Sequence, residues 1–112
     1  MYQVIIADDE AKIRGGIVNL FPWKQLGFEI AGSFSNGKEA WEFTLSHPVD
    51  LILTDIRMPN MDGLELSEQL LPHPNAKIIF FSGYQDLEYA RRALRNGVFD
   101  YVLKPIKHEH PL

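Results

Sequence analysis

The sequence predicts an α/β fold, a parallel sheet with helices on both of its faces, and two observations carry that expectation. Short runs of β-branched and other apolar residues alternate along the chain with segments whose apolar residues recur at helical spacing. Alternation of this kind implies right-handed strand–helix–strand crossovers, which set the strands in parallel and cover both sides of the sheet. The length, 112 residues, then fits one domain with a single core and leaves no room for a second.

The first element is QVIIA (residues 3–7), a nearly unbroken apolar run of the kind found in strands buried on both faces. AKIRGGIVNLF follows, with Ile13, Gly16, Ile17 and Leu20 at i, i+3, i+4 and i+7 and Pro22 just past the end, which predicts a helix and its stop. Gly15 and Gly16 weaken that helix by up to ~1 kcal/mol each relative to Ala, and a close helix contact is the expected reason for them. FEIAGSF (28–34) makes the second strand, SNG supplies turn chemistry, and residues 38–46 make a helix with Ala40 and Phe43 inward. Trp23 is expected to pack the segment after the first helix, and Trp41 to sit partly exposed beside Phe43.

LILT (51–54) is the third strand, LELSEQLL the third helix and KIIFF (77–81) the fourth strand. A fourth helix over 87–96 is ended by Gly97, and FDYVL (99–103) is the fifth strand. Only KPIKHEHPL remains, too short for a full final helix, so the last helix is expected to be largely missing. A sheet of this type needs both faces covered. The chain is therefore expected to be a fragment of a longer protein, or to borrow cover from a partner.

Composition narrows the function. Hydrophobic residues at 46% and charged residues at 23% match an ordered globular domain and exclude low complexity. The absence of cysteine removes disulfides and thiolate zinc sites and fits a reducing cytoplasm. No apolar run approaches the ~20 residues of a membrane helix, and the N-terminus lacks a signal-peptide pattern. A soluble, cytoplasmic protein with no membrane contact is expected. The net charge of −4 opposes direct binding to nucleic acid, which depends on Lys and Arg neutralising phosphates. Arg91, Arg92 and Arg95 form a local exception, expected to be a solvated helix face. His47, His73, His108 and His110 fall in loop-like or terminal stretches and suggest no metal site.

The ends of the strands carry the chemistry. A parallel sheet gathers its functional groups at the carboxyl ends of its strands, where the crevice lies. Strand one ends in ADDE, placing Asp8 and Asp9 there, and strand three runs straight into Asp55. Each acid alone could serve a turn or cap a helix. Together they repel, by roughly 1 kcal/mol per pair at 4 Å in water and about 4 at an effective dielectric of 20. A hard cation should offset that, and Mg2+ takes one or two carboxylates while keeping waters that a phosphate can replace. Strand four ends with Ser82, a hydroxyl, and strand five is followed by Lys104, an ammonium. Acids, divalent ion, hydroxyl and fixed cation form a set able to bind and stabilise a phosphoryl group on a carboxylate. Met58 and Met61, which flank Asp55 in its loop, are expected to pack that loop.

The motifs IIADDE, LILTDIRMPNMDG, FFSGY and VFDYVLKP, in that order and with fitting separations, resemble those of the receiver domain of bacterial two-component response regulators over nearly the whole chain. The resemblance implies a flavodoxin-like, five-stranded, doubly wound sheet of order 2-1-3-4-5, with residues 1–112 as one receiver domain. It implies that Asp55 is phosphorylated, that Asp9 binds Mg2+ directly and Asp8 mainly through water, and that the Arg57 carbonyl completes the protein ligands. Ser82 and Lys104 would contact the phosphoryl oxygens, and Tyr101 would be the aromatic switch. A sensor histidine kinase is the implied donor and homodimerisation on phosphorylation a possible output. FPWKQLGFEIAG, SGYQDLEYARRAL and GVFDYVLKPI further resemble receivers fused to AraC-type helix-turn-helix regulators, implying a DNA-binding output domain beyond residue 112.

Rival readings differ at identifiable positions. Phosphohydrolases with an aspartyl-phosphate generally carry D-x-D, whereas Asp55 is followed by Ile56 and Arg57, so an enzyme acting on a separate substrate is disfavoured. A constitutive interaction domain would not need every acceptor, metal and phosphate group retained. A flavin site would want a Ser/Thr/Gly-rich phosphate loop after the first strand. Arg57 and Tyr84 flank the expected attack path and are candidates to tune hydrolysis.

Overall fold

The computed structural model describes residues 1–70, 76–82 and 100–103, with the main chain alone at Ser82 and at 100–103. Its elements are β1 (Tyr2–Ala7), α1 (Ala11–Leu20), β2 (Phe28–Phe34), α2 (Gly37–Ser46), β3 (Leu51–Thr54), α3 (Gly63–Leu70), β4 (Lys77–Ser82) and β5 (Asp100–Leu103). All described strand pairs are parallel and the order is β2-β1-β3-β4-β5. The doubly wound arrangement expected from the sequence is thus present. The helix predicted over 87–96, with Arg91, Arg92 and Arg95, and everything after Leu103 lie outside the described residues.

Alternation along the strands divides the core between the two faces of the sheet. Ile5 and Ala7 of β1, Ile52 of β3, and Ile78 and Phe80 of β4 point to one side, where they pack with Ala40 of α2 and Leu64, Leu66 and Leu70 of α3. Ile6 of β1 and Phe81 of β4 point to the other, against Ile17 of α1. Val4, Ile5, Ile6 and Ala7 are all fully buried, which is why β1 reads as an apolar run with no polar alternation. Each fully buried aliphatic side chain of this size contributes about 1.5–3 kcal/mol, so the central strands anchor the sheet.

The element boundaries follow local hydrogen bonds. β1 begins one residue earlier than expected because the Tyr2 N–H donates to the Gly27 carbonyl (2.9 Å) and Tyr2 pairs with Phe28. Gly27 has φ 91°, a conformation that favours glycine and turns the chain into β2. α2 starts at Gly37 because the buried Asn36 takes the N-cap, accepting from the Glu39 N–H at 2.9 Å. Trp23 fastens the α1–β2 connection as expected: its indole N–H donates to the Ile17 carbonyl (3.2 Å), and its ring meets those of Phe21 and Phe28 edge-on.

The close helix contact expected at Gly15 and Gly16 is not found among the described residues: both lie on an exposed part of α1, a Cβ built at either would meet nothing described within 4 Å, and nothing else there explains them.

Candidate functional site

Sheet register brings the acids together. Ala7 pairs with Thr54 across β1 and β3, so the residues that follow, Asp8 and Asp55, leave neighbouring strands at the same level. Two main-chain bonds continue the ladder past the strand ends: the Asp8 N–H donates to the Phe34 carbonyl (3.0 Å) and the Asp55 N–H to the Ala7 carbonyl (2.9 Å). Both acids are thereby fixed on the rim before their side chains make any contact. Asp8 is fully buried and Asp55 only 6% exposed, while Asp9 is exposed.

Local backbone donors orient the buried carboxylates. Asp8 Oδ1 accepts from the Glu10 N–H and Asp55 Oδ1 from the Ile56 N–H, each at 2.8 Å. Hydrogen bonds from N–H groups to a carboxylate are charge-assisted and hold its rotamer. Asp8, Asp9 and Asp55 each offer an oxygen such that all three lie within 4.8 Å of one another. Around an octahedral Mg2+ with bonds of 2.0–2.1 Å, ligand oxygens are separated by about 2.9 Å when adjacent and about 4.2 Å when opposite. The 4.8 Å bound on the three oxygens is of the same size, so the cluster fits a single such ion. An all-oxygen donor set suits a hard cation.

The loop carrying Asp55 is fixed on three sides. Thr54, fully buried, donates its hydroxyl to the Asp55 carbonyl at 2.9 Å. Gly63 closes the far end: its N–H donates to the Ile56 carbonyl (2.6 Å), and a Cβ there would collide with the Asp55 carbonyl oxygen and the Ile56 Cα. On the third side the Gly37 N–H, at the start of α2, donates to the Met61 carbonyl (2.8 Å). Asn60 bridges these anchors with φ 67°, a left-handed conformation that Asn adopts more readily than most residues. Asp62 then caps α3, accepting from the Glu65 N–H at 2.8 Å while Glu65 Oε1 accepts from the Asp62 N–H at 3.4 Å, a reciprocal capping box. Met58 is buried and Met61 half-buried, so both pack the loop as expected.

Of the site residues expected from the sequence, Asp8, Asp9 and Asp55 therefore meet. Arg57 is exposed in the same loop. Ser82 closes β4 opposite Leu103, and Tyr101 pairs with Phe80, both as main chain. Lys104 and Tyr84 lie outside the described residues. Sequence reasoning missed Arg14, whose Nη1 donates to the Asp8 carbonyl at 2.5 Å. It also missed Asn36 and Gly37, although Asn36 three residues before Glu39 is a legible capping pattern.

Residues 4–111 match the family model for the response regulator receiver domain. The chain belongs to that family. The receiver is 37% identical over 110 residues to the uncharacterized transcriptional regulatory protein YesN of Bacillus subtilis, covering 97% of this chain and 30% of YesN. It thus spans about a third of that curated relative's length. Among solved structures it is similar to the REC domain of AraT, a response regulator from Geobacillus stearothermophilus, with 40% identity, a TM-score of 0.90 and coverage of 96% of this chain and 84% of that one. A two-component transcriptional regulator AraC from Clostridium phytofermentans matches at 38% identity and a TM-score of 0.85, covering 96% and 84% of the respective chains. Receiver domains bind Mg2+ at an acidic pocket, and this receiver carries an aspartate cluster of that kind. No helix among the described residues is long and apolar enough to cross a membrane.

Proposed function

We propose that this receiver is the phosphorylation-dependent switch of a two-component system, that Asp55 accepts a phosphoryl group from a sensor histidine kinase, and that the signal controls an AraC-type DNA-binding domain elsewhere in the protein. The observation that carries the reading is the convergence of Asp8, Asp9 and Asp55 at the carboxyl rim of the sheet, with ligand oxygens within 4.8 Å of one another.

An Asp55 carboxylate oxygen attacks phosphorus, an O–P bond forms as the P–N bond to the donor histidine breaks, and the leaving imidazole takes up a proton. Asp9 would hold Mg2+ directly and Asp8 mainly through water, with Asp55 and the Arg57 carbonyl completing the protein ligands. Bound there, the ion would neutralise charge on the phosphoryl oxygens. Ser82 and Lys104 take the remaining oxygens, and Tyr101 turns inward in response. The phosphoryl group adds a charge of about −1.5 to −2. Inverting a 1:99 population needs about 5.5 kcal/mol, within the range of a few charge-assisted contacts.

The names of the relatives, which are transcriptional regulators, and the share of YesN that this receiver spans support an output domain that binds DNA. In this reading the receiver works in the cytoplasm, touches neither nucleic acid nor membrane itself, and catalyses only its own phosphorylation and dephosphorylation. Phosphorylation promotes a homodimer.

Intact mass after incubation with Mg2+ and acetyl phosphate tests the acceptor. One added phosphoryl group is expected in the parent only with Mg2+, and none in Asp55→Asn. Labelling of the Asn variant to the same extent would overturn the assignment.

A further inference from the structure

We infer that Arg14 is a positioning residue for the metal site, holding the β1–α1 turn in the shape that keeps Asp8 and Asp9 together; this rests on the Mg2+ reading above. The start of α1 is weakly fixed by the usual devices. Glu10 at its N-cap makes no side-chain capping bond and the first turn carries no acidic residue. The Ile13 and Arg14 N–H groups instead share the Glu10 carbonyl, at 3.1 Å each. What ties this helix end to the strand is a pair of bonds on Asp8. Its carboxylate accepts from the Glu10 N–H, and its carbonyl accepts from the Arg14 guanidinium at 2.5 Å.

Arg14 is half-buried, and through its guanidinium the first turn of α1 grips the carbonyl of Asp8, which belongs to the peptide that leads into Asp9. The main chain at Asp8 is thus held from two sides, by its own N–H on the Phe34 carbonyl and by a side chain that is not among the proposed ligands. Groups standing behind metal ligands commonly change affinity by about 10–100-fold when removed. A carbonyl tether belongs at the lower end of that range. Lysine is the informative partial replacement, because an ammonium can still donate to the carbonyl and keeps the charge.

The test is calorimetric titration of Mg2+ into the parent, Arg14→Met and Arg14→Lys, together with amide hydrogen exchange at Glu10 and with circular dichroism to verify folding. Arg14→Met is expected to weaken Mg2+ binding about tenfold and to speed exchange at Glu10, with Arg14→Lys recovering most of both. Equal or tighter Mg2+ binding in a folded Arg14→Met would overturn the inference, since loss of a nearby positive charge alone strengthens cation binding. A parent that binds no Mg2+ would sink the metal reading instead. Exchange at Glu10 would then still decide whether Arg14 holds the turn, an unchanged rate rejecting it.

Discussion

At the scale of single residues, the balance at the rim of the sheet is electrostatic. Asp55 is almost completely buried beside two further carboxylates, and each pair at this spacing costs about 1 kcal/mol even with water-like screening. Asn has the same shape and its side-chain oxygen can still accept from the Ile56 N–H. Asp55→Asn relieves two such pairs and is therefore expected to raise metal-free stability by about 2 kcal/mol. Urea unfolding in EDTA measures this, and a lower midpoint for the variant would show that Asp55 is held by interactions stronger than the repulsion. The acids themselves were legible in the sequence because Asp8 and Asp55 each directly follow a strand-forming run and Asp9 comes next in the chain, and strand ends are where a parallel sheet exposes function. Arg14 was not legible. Its bond reaches back across a turn to a main-chain carbonyl, and neither helical period nor motif spacing encodes such a contact.

At the scale of elements, the β3–α3 loop and the helix it starts are one mechanical unit. At Gly63 the start of α3 closes against the Asp55 and Ile56 backbone, and the nearest neighbours of the missing Cβ are main chain, which cannot rotate away. Gly63→Ala is expected to cost about 1–3 kcal/mol as an overpacked contact and to slow phosphorylation from acetyl phosphate by displacing Asp55. Thermal or urea unfolding beside an initial-rate measurement checks both, and an Ala variant as stable and as fast as the parent would contradict the close approach. Strands and helices were recognisable from their periods, yet their ends were not always. α2 begins at Gly37 and not at the following lysine because Asn36 turns the SNG stretch into a cap. Gly15 and Gly16 misled in the opposite direction, since glycine composition alone does not distinguish a close contact from an open surface.

At the scale of the molecule, the proposed Mg2+ site would link metal binding to folding. The cluster is assembled at the ends of β1 and β3, which are far apart in sequence, so the unfolded chain holds no equivalent site and a bound Mg2+ would favour the native state by mass action. At one hundred times its dissociation constant the ion is expected to add about 2.7 kcal/mol, and this gain should shrink in Asp55→Asn. Denaturation with and without Mg2+ measures it, and an equal gain in both proteins would place the ion elsewhere. The two-sided core was predictable because alternating strands and helices cover both faces of a parallel sheet, whereas the strand order was an expectation carried by the resemblance to receiver domains.

The joint between the β3–α3 loop and α2 is made by the Gly37 N–H and the Met61 carbonyl, main chain on both sides. Truncating the neighbouring side chains leaves such a bond in place, and Gly37→Ala would drive a Cβ into the Met61 carbonyl, so an alanine scan registers the joint only at the glycine and there mixes a clash with the bond. Replacing the Gly37 amide by a backbone ester deletes the donor without adding bulk. The stiffness of this corner is a property of the polymer's shape, inherited by any side-chain variant that keeps the two backbones in register.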